Sequence, residues 1–293
     1  MKEPLVTVYV ANFNYGRYLR TALESVYRQT FRDFELIIVD DGSTDNSRDI
    51  IAEYEGRPET RIILQDNKGL HGVSRVAVRA ARGKYVMRLD ADDLLDESAL
   101  LVMASALEAA PDVALVFPDY YYIDEAGAVT GQERRHNFQT EVTLLDQPAH
   151  GACTMIRRDC LIEVNAYSGQ FRSQDGYDLW LKIIDRYKVR NVNLPLFYYR
   201  RHGENLTNNQ EFILKTRSEI LKAHAERANR PKLRTICVIP VRGREARRRR
   251  DAAHRRCAVP QCVLCRQGGQ RHARVQCRCR SGCAAGQRSV LSA

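Results

Sequence analysis

Apolar and polar positions along the first half of the chain switch repeatedly between two periods. Leu5 to Val10 is a short, β-branched apolar run, and Tyr18-Leu19, Ala22-Leu23 and Val26 then recur at helical spacing up to Gln29. The pair repeats: Phe34 to Val39 reads as a buried strand, and Ile50, Ile51 and Tyr54 as one face of a helix. Arg61 to Leu64 predicts a third strand, about Gly72 to Ala81 a helix ended by Gly83, and Tyr85 to Leu89 a fourth strand. Ser98 to Ala110 reads as a helix stopped by Pro111, followed by a fifth strand from Val113 to Phe117. Strands alternating with helices favour a mostly parallel sheet covered on both faces and joined by right-handed crossovers.

Beyond Tyr120 the pattern loosens. Glu125-Ala126-Gly127 is a turn, and His136 to Pro148 is polar and reads as loop. A short helix is expected from Asp159 to Val164. A longer one runs from Tyr177 to Tyr187, with Leu179-Trp180, Ile183-Ile184 and Tyr187 on one face. Val189 to Asn193 and Leu196 to Tyr199 read as two strands, and a last helix spans about Gln210 to Ala228, before Pro231.

The 293 residues suffice for one large domain or two small ones. No stretch approaches the ~20 apolar residues that span a bilayer. Met1-Lys2-Glu3-Pro4 leads straight into a strand, without the apolar core of a signal peptide, so a soluble cytoplasmic protein is expected. The net charge of +10 suggests nucleic acid, but its distribution argues otherwise. Thirteen arginines against two acids from Arg244 onward carry the whole excess, and the residues before them are within one charge of neutrality. Cysteine divides the same way. Cys153, Cys160 and Cys237 are scattered, as suits a reducing compartment, whereas Cys257, Cys262, Cys265, Cys277, Cys279 and Cys283 crowd the tail.

The chemistry gathers where strands end. Asp90-Ala91-Asp92-Asp93 packs three carboxylates into four residues, and a hard divalent cation with oxygen ligands is the usual relief for such repulsion. The same run could instead cap a helix before Leu94-Leu95, since Asp is a good N-cap. Asp40-Asp41 ends the second strand, and Asn12 and Asn14 lie in the turn after the first. In a parallel sheet these ends share one edge, where open α/β sheets bind ligands. A nucleoside diphosphate suits them: carboxylates accept hydrogen bonds from base and ribose and hold the cation that neutralises phosphate. The chain has neither a Gly-x-x-x-x-Gly-Lys-Ser/Thr loop nor Gly-x-Gly-x-x-Gly in its first turn, which counts against P-loop NTPases and dinucleotide-dependent oxidoreductases.

Six segments in order resemble glycosyltransferase family 2. They are Val6 to Asn14, Ser25-Val26-Tyr27-Arg28-Gln29-Thr30, Leu36 to Asp45, Asn67-Lys68-Gly69, Leu89 to Asp93, and Gln174 to Trp180, with Tyr199-Arg200-Arg201-His202 following. The resemblance covers about residues 5 to 230. It implies an α/β GT-A (Rossmann-like) fold, a mostly parallel mixed sheet flanked by helices. It also implies inverting transfer of a hexosyl group from a nucleotide-diphosphate sugar, usually a UDP-sugar, to a hydroxyl of a glycan or lipid-linked glycan. Surface polysaccharide synthesis, with peripheral association at the inner face of the membrane, is the accompanying expectation. By the same comparison residues 1–120 form the nucleotide-sugar-binding half and 121–230 the acceptor-binding, catalytic half. Ala11, Asn12, Asn14, Asp40, Asp41, Asn67, Lys68, Asp90 and Ala91 would contact the donor, with Ala11, Asn12 and Asp41 near the base and Asp90 near the ribose. Asp92 would hold Mn²⁺ or Mg²⁺, with His202 a further ligand or phosphate contact. The family places its base in Glu-Asp-Tyr-Asp-Leu-Trp; here Asp175-Gly176 replaces Glu-Asp. Asp175 is therefore the first choice for the base and Asp178 the second. Ala11 stands where the family has Pro, and Ser74-Arg75 where it has Arg-Asn.

Plainer readings exist for several of these residues. Asp40 and Asp45 could be turn and capping groups, His202 a surface histidine, and Asp178 a charge at a helix N-terminus. Trp180 reads as core or as a wall of the acceptor pocket. Tyr120-Tyr121-Tyr122 suits either a sugar platform or a strand edge.

Residues 231–293 are expected to be a linker and a disordered Arg/Cys-rich tail. Cys262-x-x-Cys265 with His272 offers zinc ligands and Arg247 to Arg250 phosphate contacts, so a zinc- or nucleic-acid-binding module is the alternative function. Yet no aromatic residue occurs from Arg244 onward, and apolar periodicity stops there. Ile236 to Gly243 resembles the opening of sugar cytidylyltransferases before the likeness ends. The tail therefore reads as a shifted frame that truncates a second, nucleotide-sugar-forming domain, with no nucleic-acid partner expected.

Overall fold

Val6–Asn12 (β1) and Phe34–Asp40 (β2) are buried at every position, as strands covered on both faces must be. In this computed structural model the structure describes residues 3–134, 148–167, 169, 171, 174–203, 205 and 209–227. The chain divides into two units, Met1–Leu233 and Arg234–Ala293. The second unit, with its cysteines and the expected tail, and, in the first unit, most of the expected loop at 136–148 lie outside the described residues.

The first unit continues with α1 (Gly16–Tyr27), α2 (Ser47–Ala52), β3 (Thr60–Leu64), α3 (Gly69–Ala80) and β4 (Tyr85–Asp90). Then follow β5 (Leu94–Leu95), α4 (Ala99–Glu108), β6 (Val113–Ile123), β7 (Val129–Glu133) and β8 (Met155–Arg157). The last elements are α5 (Arg158–Glu163), α6 (Asp175–Ile184), β9 (Lys188–Arg200) and α7 (Gln210–Arg227). One mixed sheet runs in the order β3-β2-β1-β4-β8-β6-β9-β5, with β7 added against β6. The four strands from β3 to β4 are parallel, β8 is antiparallel to both β4 and β6, and β6 is parallel to β9.

Side-chain alternation in β1 builds a core on each face. Val6, Val8 and Val10 join Leu19, Leu23 and Val26 of α1, while Tyr9 and Ala11 join Val73 and Ala77 of α3. Burial of such side chains, roughly 1.5–3 kcal/mol each, drives the layers together.

Four expectations are corrected. α3 starts at Gly69 rather than about Gly72, because the Asp41 carboxylate receives the backbone N–H groups of Lys68 and Gly69 at 2.9 and 2.8 Å. α6 starts at Asp175, two residues before Tyr177. The two strands expected at 189–199 are one, since pairing with β6 carries β9 across Pro195, with register shifts opposite Pro118 and Asp119. β6 likewise runs on through Tyr120-Tyr121-Tyr122, and β5, β7 and β8 were too short or too polar to predict. Among the described residues no helix is long and apolar enough to cross a membrane.

Candidate active site

Parallel register brings the expected residues together at the ends of β2, β1 and β4. Asn12 pairs with Asp40 across one interface of β1, and Ala11 with Asp90 across the other. The order β2-β1-β4 makes this the point where the chain reverses its direction of winding, the usual crevice for a ligand in an open α/β sheet.

Asp40 and Asp41 have different surroundings. The buried Asp40 carboxylate accepts Asn12 Nδ2 at 2.9 Å, the Ser43 N–H at 3.2 Å and Arg48 Nε at 3.2 Å. Asp41 adds Gln65 Nε2 at 2.6 Å to the two amides at the start of α3. Asn14, at φ 57°, donates its N–H to Ser43 Oγ and accepts from the Thr44 N–H, locking the first turn to the second. Asp45 receives the N–H of Gly16 at 2.8 Å and of Ser47 at 3.0 Å, and so serves the N-termini of both α1 and α2. Asn67 and Lys68 are exposed beside this loop, and Ala91 is fully buried behind Asp90.

The second carboxylate of the β4 end meets the far end of β9. Asp92 Oδ2 lies 2.9 Å from His202 Nε2, and the His202 side chain is 0% exposed, so this histidine is not on the surface. Its ring packs on Tyr15 and Tyr18 at centroid distances of 5.6 and 5.5 Å. Asn205 Nδ2 reaches His202 Nε2 at 3.2 Å, while Asn205 Oδ1 accepts the His202 N–H at 2.6 Å. Arg200 fixes the other side of the turn, donating Nε to the Asp92 carbonyl and Nη1 to the carbonyls of Asp124 and Glu125. Asp93 accepts the Arg200 N–H at 2.8 Å. Burial pushes its carboxyl well above the ordinary aspartate value, with Asp92 and Asp90 adding to the effect.

These residues fit the metal that the resemblance implies. The Asp92 carboxylate would hold Mn²⁺ or Mg²⁺ as a hard oxygen donor, and the His202 imidazole nitrogen 2.9 Å from it would be a second donor. Among the described residues no group of three or more metal-capable side chains converges. A two-ligand protein site is what a cation shared with substrate phosphates needs, because phosphate and water supply the rest.

Arg88 links the strand end to the start of α6. Its Nε lies 3.0 Å from Asp90 Oδ1, and its Nη1 lies 3.6 Å from Asp175 Oδ2. Asp175 also accepts the Gly176 N–H, at 2.9 Å. Burial pushes the Asp90 carboxyl up to about 6, against the pull of Arg88 and helped by Asp92 and Asp175. Tyr9 and Tyr167 complete the surroundings, with the Tyr9 hydroxyl 3.1 Å from Ser74 Oγ and 3.4 Å from the Tyr167 hydroxyl. Burial pushes the Tyr9 phenol up to about 12, so it stays neutral beside the guanidinium. Ser74 of the unusual Ser74-Arg75 pair is thus buried under Tyr9, and Arg75 is exposed.

Asp178 points elsewhere. It pairs with Lys182 at 2.6 Å and His224 at 2.8 Å, joining α6 to α7. Trp180 is 2% exposed and packs edge-on against Phe117, a core position. Tyr120 belongs to the core and Tyr121 stacks at a tilt on Tyr198. Two surface cavities, of about 450 and 820 Å³, open elsewhere: one by Leu5, Gly83 and Arg157, the other between α1 and β5. Arg88, Arg200 and Asn205 carried no role in the sequence reading. Arg88 left a signal, a charge inside an apolar strand, and Arg200 lay in the matched Tyr199-Arg200-Arg201-His202 segment.

Residues 7–164 match the family model for Glycosyl transferase family 2. The chain belongs to this family. Among its relatives, the Escherichia coli UDP-Glc:α-D-GlcNAc-diphosphoundecaprenol β-1,3-glucosyltransferase WfaP is 30% identical over 240 residues, 80% of this chain and 91% of WfaP. Escherichia coli chondroitin synthase is 29% identical over 205 residues, and the chain spans only 30% of that protein. The fold is shared with Staphylococcus aureus TarS 1-349 in complex with UDP-GlcNAc. The TM-score is 0.63 at 18% identity, covering 78% of this chain and 67% of that one. It is also shared with the mannosyltransferase PcManGT of Pyrobaculum calidifontis in complex with GDP-Man and Mn²⁺, at TM-score 0.58 and 19% identity, covering 79% and 66%. The protein is a glycosyltransferase with the GT-A fold.

Proposed function

We propose that this glycosyltransferase moves a hexosyl group from a UDP-sugar to a hydroxyl of a lipid-linked or free glycan, with inversion, in surface polysaccharide synthesis. The observation that carries the reading is the Asp92–His202 pair standing at the same strand end as Asp90, which Arg88 connects to Asp175. WfaP supports the donor and acceptor classes by its name alone. The cytoplasmic side of a membrane is the place such an acceptor would be met.

In this reading residues 1–120 bind the donor and 121–230 supply the acceptor side and the base. Ala11, Asn12, Asn14, Asp40, Asp41, Asn67 and Lys68 shape the nucleoside end, and Asp90 and Ala91 the ribose. Asp92 and His202 hold a divalent cation, which when bound acts as a Lewis acid on the diphosphate. Asp175 accepts the proton of the acceptor hydroxyl as that oxygen bonds to the anomeric carbon, and the bond from that carbon to the diphosphate breaks.

A thermal-shift screen of nucleotide sugars with and without Mn²⁺ tests the donor side, since a ligand bound to the native state raises its melting point. A UDP-sugar is expected to stabilise the protein only with the metal, and Asp92→Ala to remove that dependence. Stabilisation by Mn²⁺ and UDP that persists unchanged in Asp92→Ala would remove Asp92 from the site. Asp175→Asn is expected to bind UDP and lose transfer.

A further inference from the structure

We propose that Arg88 is a positioning residue of the transfer step, holding the Asp175 carboxylate against the donor-binding strand end through a guanidinium shared with Asp90. The inference rests on the reading of Asp175 as the base. Three observations carry it. First, the Arg88 side chain is only 7% exposed, inside a strand whose neighbours Val86, Met87 and Leu89 are core. A buried charge is held only by partners, and its partners are two carboxylates from different elements.

Second, the contact between β4 and α6 is built for it. A Cβ at Gly151 would lie 2.8 Å from Arg88 Nη2, and a Cβ at Gly176 would lie 3.2 Å from the Gly151 Cα. The two glycines leave room for the guanidinium and the helix start to approach the same backbone. A side chain at 176 would press on Gly151, which suits a glycine there, and the carboxylate next to Arg88 is that of residue 175.

Third, the network is left open toward Asp175. Arg88 Nη1 and Asp175 Oδ2 are buried and 3.6 Å apart, neither with a hydrogen-bond partner among the described residues. Arg88 forks onto Asp90, with Nε 3.0 Å from Oδ1 and Nη2 donating to Oδ2 at 3.3 Å, and leaves its remaining nitrogen to face Asp175. Here one cation faces two anions, and Tyr9 and Tyr167 stand by as neutral phenols, with Asp92 and Asp93 beyond Asp90. Asp175 therefore keeps a countercharge and an oxygen not committed to it.

Arg88→Gln, Arg88→Lys, Asp175→Asn and the double variant Arg88→Gln/Asp175→Asn test this in the full chain. UDP release from UDP-glucose and from UDP-GlcNAc with Mn²⁺ is measured, together with UDP affinity by calorimetry and the melting temperature. Arg88→Gln is expected to lower kcat by about 100-fold or more, the size of a lost base. The donor KM and UDP affinity should move by no more than about threefold, the pattern of an interaction used only in the transition state. Arg88→Lys, which keeps the charge, should recover about tenfold of that loss. In the Asp175→Asn background, Arg88→Gln should cost nothing further, since it acts through a group already removed. Equal losses in both backgrounds, or a kcat within about twofold of the parent, would overturn the role of Arg88 alone. Asp175→Asn indistinguishable from the parent would overturn the base, and the inference with it.

Discussion

Asp175 and Asp178 lie one helical turn apart, and the chain treats them oppositely. Asp175 faces Arg88 and the strand ends, whereas Asp178 is enclosed between Lys182 and His224. Burial alone would raise the Asp178 carboxyl, but the hydrogen bonds from His224 and Lys182 hold it below its ordinary value. A carboxyl depressed in the native state contributes stability above the unfolded aspartate pKa of about 3.9 and loses it as pH falls through the folded value. Asp178→Asn should therefore melt well below the parent at pH 7, by roughly 3 kcal/mol in urea titrations, because it leaves Lys182 buried without its countercharge. The gap should narrow as pH drops below about 4, where the parent loses the same charge. Sequence alone could not choose between the two residues. Their spacing placed both near the first turn of one helix, and only the packing of α7 against α6 committed Asp178 to structure.

α3 shows how a boundary can be set from outside an element. Its first amides are received by Asp41 at the end of β2, a residue remote in sequence, and Lys68 as N-cap makes no side-chain cap of its own. Local signals put the start three residues late because no Ser, Thr, Asp or Asn stands at the cap position. Asp41→Ala should cost about 1–2 kcal/mol, the range of a lost cap, measured by urea unfolding. It should also increase hydrogen exchange at the Lys68 and Gly69 amides. β9 carries the complementary lesson. Pro195 reads as a break because it has no N–H to give, yet pairing on β6 continues past it with a change of register. Asp45 was legible as a capping residue, but not as one that serves two helices at once.

For the whole chain, charge and family boundaries point the same way. The basic, cysteine-rich residues from Arg244 lie beyond the family match at 7–164 and outside the described residues. Removing residues 244–293 should leave UDP binding and UDP release unchanged. A stoichiometric zinc titration of the isolated tail accompanied by induced structure would overturn that expectation. The order of strands and helices, the crowding of carboxylates at the ends of β2 and β4, and the family itself were readable from the amino acids. Those properties are local: apolar period, turn chemistry and the repulsion of neighbouring charges. The pairing of Asp92 with His202, the turning of Asp178 to α7, and the bridge from Arg88 to Asp175 are contacts between distant segments. Register and close backbone approach decide them, and neither is written in any single stretch of chain.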